Sequence, residues 1–129
     1  MKGIALILFI PILLSCQSKP SHRDVHHVLD NLHLYASEAN GEAYFNLFAE
    51  DAVFFGTDIN EHWDKVAFQN YALARFAEGT GWTYHMTERN VYFSDDVKAC
   101  WFDEILTNEK YGNFRGTPVL KQVNNQWKI

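Results

Sequence analysis

An α+β domain, with helices covering one face of a curved and mainly antiparallel sheet, is the fold class the sequence predicts. Three observations carry it. Apolar residues recur at helical spacing up to Gly79, they alternate from Trp82 onward, and short turn signals separate the alternating runs. Helices first and antiparallel strands afterwards bury their apolar faces when the helices pack on the sheet.

Each element has its own warrant. Ser21-His22-Arg23-Asp24 has the form of a capping box, and Val25, Val28, Leu29, Leu32, Tyr35, Ala36 and Ala39 mark one face of a helix that Asn40-Gly41 ends. A short second helix is expected over Glu42 to Phe48, then a strand over Ala52 to Thr57. Asp64 caps a third helix with Phe68, Tyr71, Ala72, Arg75 and Phe76 on one stripe, the Arg75 stem lying along it, and Gly79 as the stop. Strands follow at Trp82 to Phe93, Val97 to Thr107, Asn113 to Val123 and Gln126 to Ile129. Between them lie the turn signals Ser94-Asp95-Asp96, Asn108-Glu109-Lys110 and Asn124-Asn125.

Composition narrows the function classes. A chain of 129 residues that is 47% hydrophobic and 16% aromatic supports one domain with a real core. Its formal charge of −5, with no Lys/Arg cluster, makes it a poor nucleic-acid binder. Lys2, the apolar run Ile4 to Leu14 and the small Ser15 before Cys16 read as an export signal over residues 1–15, too short for a lasting membrane span. Leu13-Leu14-Ser15-Cys16 resembles a bacterial lipobox. That resemblance implies lipidation of Cys16, a tether over 16–23 and a domain over 24–129. With Gln17 following, it implies an outer-membrane lipoprotein facing the periplasm of a diderm bacterium. Cys100 then stands alone as a small buried hydrophobe, and no CxxC pair suggests zinc or redox work.

Four motifs lie in order along the domain: Gly56-Thr57-Asp58-Ile59-Asn60-Glu61-His62-Trp63, Gly81-Trp82-Thr83-Tyr84, Trp101-Phe102-Asp103-Glu104 and Tyr111-Gly112-Asn113-Phe114-Arg115-Gly116-Thr117. With them the chain resembles the SnoaL-like branch of the NTF2-like superfamily. The resemblance implies a cystatin-like cone of three N-terminal helices on the curved sheet, enclosing a pocket. It leaves the activity open, because the fold hosts isomerases, cyclases, dehydratases, hydrolases and noncatalytic domains. Pro118 stands where the group favours Gly, and members usually continue past Trp127-Lys128-Ile129, so the last strand is expected to be short.

The candidate residues follow from the strand pattern. In Ala99 to Leu106 two adjacent carboxylates, Asp103 and Glu104, must point to opposite faces, so one points inward and needs a partner or a shifted pKa. They are the candidate catalytic residues. Arg115 meets Glu104 directly if Asn108 to Tyr111 form the loop, and Asp103 diagonally if the loop runs through Gly112. Asp58 and Glu61 either cap the third helix or, with Trp63, line a pocket mouth. Val53-Phe54-Phe55-Gly56 offers no carboxylate where ketosteroid isomerase relatives place their base, which disfavours that reaction. His22, His26, His27 and His33 on the first helix lack a third ligand, so neither a metal nor another cofactor is expected.

Three functions compete. An aromatic pocket of Tyr44, Phe48, Trp63, Trp82 and Trp101 would hold a small apolar molecule, oriented by Glu61, Asp103, Glu104 and Arg115. Alternatively, one of these carboxylates performs acid/base chemistry as an isomerase, cyclase or hydrolase. A third reading is a homodimer, because the strand Ala99 to Leu106 is apolar on both faces.

Overall fold

The computed structural model describes residues 21–129 except residue 57, so the export signal and Cys16 lie outside the described residues. Three helices, α1 (His22–Ser37), α2 (Gly41–Asn46) and α3 (Lys65–Ala77), are accompanied by a small hairpin of β1 (Val53–Phe55) and β2 (His62–Asp64) that packs on α3. The main sheet comprises β3 (His85–Phe93), β4 (Ala99–Asn108), β5 (Gly112–Gly116), β6 (Val119–Val123) and β7 (Gln126–Lys128). Its order is β3-β4-β6-β7, every pairing is antiparallel, and β5 also pairs with β4. This is the expected α+β architecture.

Local chemistry explains the element boundaries. The Asp24 carboxylate accepts hydrogen bonds from the Ser21 backbone N–H at 2.6 Å and hydroxyl at 3.0 Å, opening α1 as its capping box predicts. The helix ends at Ser37, earlier than expected, and Ala39 adopts a left-handed conformation. Asn40 instead caps α2 by accepting from the Ala43 N–H at 3.2 Å. Asp64 caps α3 by accepting from the Ala67 N–H at 2.8 Å, and Gly79 with φ +72° follows its end. Asn124 and Asn125, both at positive φ, close the β6–β7 hairpin.

The expected strand from Asn113 to Val123 is split in two, yet its register is unbroken. Glu104 faces Gly116, and Trp101, three residues earlier on β4, faces Val119, three residues later. Pro118 lies between and has no N–H for the ladder, although its carbonyl accepts from the Phe102 N–H at 3.3 Å.

The interior contains two apolar clusters. Ala36, Tyr44, Phe45, Phe48, Phe68, Ala72 and Phe76 pack among the helices. Val25, Leu29, Cys100, Phe102, Leu120 and Trp127 pack between α1 and the sheet. The inward stripe of α1 passes from the second cluster to the first, and His33 lies at the crossing.

Candidate functional site

Strand alternation decides which carboxylate enters the interior. On β4, Cys100, Phe102, Glu104 and Leu106 are buried toward α1, whereas Trp101 and Asp103 face the other way. Glu104 is 2% exposed, a carboxylate enclosed by the interior. Removing its charge from water is costly unless donors replace the solvent. Arg89, its partner in the β3–β4 register, donates from Nε to Oε1 at 2.5 Å, and His33 donates from Nε2 to Oε2 at 2.7 Å.

Arg89 links this centre to α1. Its Nη1 donates to Asp30 Oδ1 at 2.8 Å and to the His26 carbonyl at 3.3 Å. Its side chain is 3% exposed, and its buried Nη2 has no hydrogen-bond partner among the described residues. His33 is 16% exposed. Because the carboxylate can only accept, the imidazole carries its proton on Nε2, and no described hydrogen bond uses Nδ1. The pair Glu104–His33 therefore favours the tautomer in which Nδ1 carries a lone pair.

The other sequence candidates are distributed differently. Arg115 pairs with Asp103 on the solvent-facing side, through the longer of the two loops considered: Thr107 faces Asn113 and Ile105 faces Arg115. Asp103 is thus the outward carboxylate, neutralised at the surface. Asp58 and Glu61 cap nothing on α3; they close the β1–β2 loop. Asp58 Oδ1 accepts from the Asn60 N–H at 2.8 Å and Glu61 Oε2 from the Asp58 N–H at 3.2 Å. Neither touches the Glu104 centre among the described residues.

The five expected pocket aromatics do not share a pocket. Tyr44, Phe48 and Trp82 belong to a filled core, with ring centroids 5.2 Å apart for Tyr44–Phe48 and 5.8 Å for Tyr44–Trp82. Burial raises the Tyr44 hydroxyl well above the usual tyrosine range. Trp63 extends this core by packing 6.1 Å from Phe68. Trp101 is excluded from it because odd-numbered β4 residues face outward, where its ring stacks 6.3 Å from Tyr92.

Arg89 and His33 are the residues sequence reasoning missed, and both had a signal. Val91 and Phe93 alternate with Arg89 and mark its face as inward. His33 follows the buried Leu29 by one helical turn. Among the described residues, no group of three or more His, Cys, Asp or Glu is placed to hold a metal ion.

Comparison with known proteins follows the same line. The model of a SnoaL-like domain matches residues 25–129. No curated protein sequence matches. Among solved structures, an NTF2-like protein of unknown function from Pseudomonas putida has a TM-score of 0.68 at 11% identity, over 82% of this chain and 79% of that one. A candidate scytalone dehydratase from Novosphingobium aromaticivorans has a TM-score of 0.67 at 17% identity, over 82% and 76%. A candidate calcium/calmodulin dependent protein kinase II association domain from Xanthomonas campestris has a TM-score of 0.61 at 19% identity, over 97% and 92%. The chain spans 66% of a further similar structure, from Mycobacterium tuberculosis. At these identities the structural likeness shows the NTF2-like fold alone. With the family match covering almost all of the described residues, the chain belongs to the SnoaL-like domain family.

Proposed function

We propose that this SnoaL-like domain acts on a small organic molecule by acid/base chemistry centred on His33. The observation that supports the reading is the buried Glu104 carboxylate, whose two oxygens are taken by Arg89 and His33. An ionic centre between two apolar clusters is a weak device for stability, since apolar residues of similar size would often serve as well. It suits a proton carrier. Glu104 accepts from the same Nε2–H whether the imidazole is neutral or protonated, so Nδ1 can take a proton from a carbon beside a carbonyl without losing that contact. The Arg89 guanidinium, with Nη2 unused, supplies positive charge for the oxygen that becomes negative. Returning the proton to another atom of the same molecule is isomerisation; delivering it to a departing hydroxyl is dehydration.

The test is deuterium exchange. A panel of enolisable ketones and β-hydroxy carbonyl compounds in D₂O should gain deuterium beside the carbonyl faster with the protein, and His33→Gln should abolish the acceleration while remaining folded. Ligand-induced shifts at His33 without exchange would leave a noncatalytic ligand-holding domain. No shift and no exchange would leave a structural cluster.

A second reading, self-association, is favoured by a separate observation. Tyr92, Trp101 and Val119 form a row across β3, β4 and β6 and are 49%, 48% and 61% exposed. The association-domain relative supports the same reading. A second copy packed on this face would cover the row. Sedimentation should show a dimer that Trp101→Glu converts to monomer; a wild-type monomer at all concentrations defeats the reading. We also propose export and lipidation at Cys16, for which mass spectrometry of membrane-bound protein should find a diacylated N-terminal cysteine.

A further inference from the structure

A groove of about 450 Å³ opens between the Trp82 loop and the turn that joins β4 to β5. Its volume falls within the roughly 300–1,000 Å³ typical of small-molecule sites. It is built differently from the interior. Arg75, Trp82, His85, Lys110 and Tyr111 line it, together with the single acidic residue Glu109. The Arg75 guanidinium lies 6.0 Å from the Trp82 ring centroid and the Lys110 ammonium 5.0 Å from that of Tyr111.

Lys65, Arg89, Arg115 and Lys121 each pair with a carboxylate; Arg75 and Lys110 are among the described cations that form no ion pair, and they are the two that line this groove. Arg75 donates only one described hydrogen bond, from Nη1 to the Tyr71 hydroxyl at 3.3 Å. Its remaining donors match the two oxygens of a carboxylate.

Asn108 fixes the two walls relative to one another. Its Nδ2 donates to the Thr83 carbonyl at 2.9 Å, which ties the end of β4 to the Trp82 loop. Its Oδ1 accepts from the N–H groups of Lys110 and Tyr111 at 2.9 and 3.0 Å, which holds the turn carrying the second cation and ring. Two aromatic surfaces, each with a cation beside it, are thus set in place before any ligand arrives.

We propose that this groove binds a small planar carboxylate, an aromatic or conjugated acid whose flat body lies on Trp82 or Tyr111 and whose oxygens meet Arg75 and Lys110. The site does not rest on the His33 chemistry: Asn108 is four residues from Glu104 along β4, about 13 Å. Glu109 stands in the groove as a like charge, so a monoanion fits better than a polyanion.

The test is titration of the full-length chain with trans-cinnamate, followed at the Trp82 indole N–H and the imidazole signals of His33 by NMR. Saturable shifts at Trp82 are expected, with neutral cinnamamide bound at least about tenfold more weakly, as loss of a charge-assisted contact implies. Arg75→Gln and Lys110→Gln, both surface changes, should each weaken cinnamate at least about threefold. Equal binding of cinnamamide, or unchanged affinity in both variants, would overturn the proposal. So would inorganic phosphate binding as tightly as cinnamate, which would mark a general anion surface. Shifts at His33 in place of Trp82 would assign the acid to the interior centre and likewise overturn it.

Discussion

Glu104 occupies a position between Phe102 and Leu106 where a leucine would continue the apolar row, and it survives there because Arg89 and His33 replace its water. Removing one partner from such a group strands the other. Glu104→Gln and Arg89→Met should each cost about 3–5 kcal/mol of folding free energy. The double variant should cost clearly less than their sum, a cycle read by chemical denaturation. A sum that is simply additive would mean the two charges do not sustain one another. At this scale the sequence was half legible. Adjacent carboxylates on a strand require one to face inward, and Glu104 does. Its partner depends on which cross-strand neighbour the β3–β4 turn delivers, whereas Arg115 belongs to the other hairpin, whose register places it beside Asp103 outside.

At the scale of elements, periodicity read three helices and the antiparallel run after them correctly, while boundaries yielded to contacts that no pattern carries. The strand expected from Trp82 begins only at His85, as β3. The Trp82 N–H donates to the Ala36 carbonyl at 3.2 Å, drawing this segment to the end of α1 and away from the sheet. Gly81 makes the approach possible, since a Cβ there would collide with the Ala36 carbonyl oxygen. Gly81→Ala should therefore destabilise by about 1–3 kcal/mol in urea denaturation, as overpacking against backbone does. An unchanged midpoint would show that the loop can withdraw freely. The first strand was expected, but its partner β2, three residues long, was not, and Asp58 and Glu61 serve the loop between them.

Over the whole molecule, charge sets a window of stability. Hydrogen bonds from Ser21 lower the Asp24 carboxyl, Lys121 lowers Asp51, and Ser94 lowers Asp96. Folded values below the unfolded ones give stability that is present above the ordinary carboxylate range and lost as pH falls through the folded values. At the other end, burial pushes the Cys100 thiol up to about 11 and also raises Tyr44 and Tyr84. That contribution is complete below the unfolded thiol value of about 8.5 and is lost as pH rises through the folded values. The melting temperature should thus fall on both sides, and Cys100→Ala should flatten the alkaline limb alone; an unaltered limb would remove the thiol from the account.

Ile129 packs against both apolar clusters, its N–H donating to the Leu47 carbonyl at 2.9 Å and its carbonyl accepting from the Ala49 N–H at 2.7 Å. Since a polar centre otherwise lies between those clusters, this side chain couples the opening of one to the opening of the other. Amide hydrogen exchange in α3 and β6 should report one shared opening free energy in the native chain and two separate ones in Ile129→Ala. Cooperativity in this domain is then carried by contact through a single residue as much as by the size of either cluster.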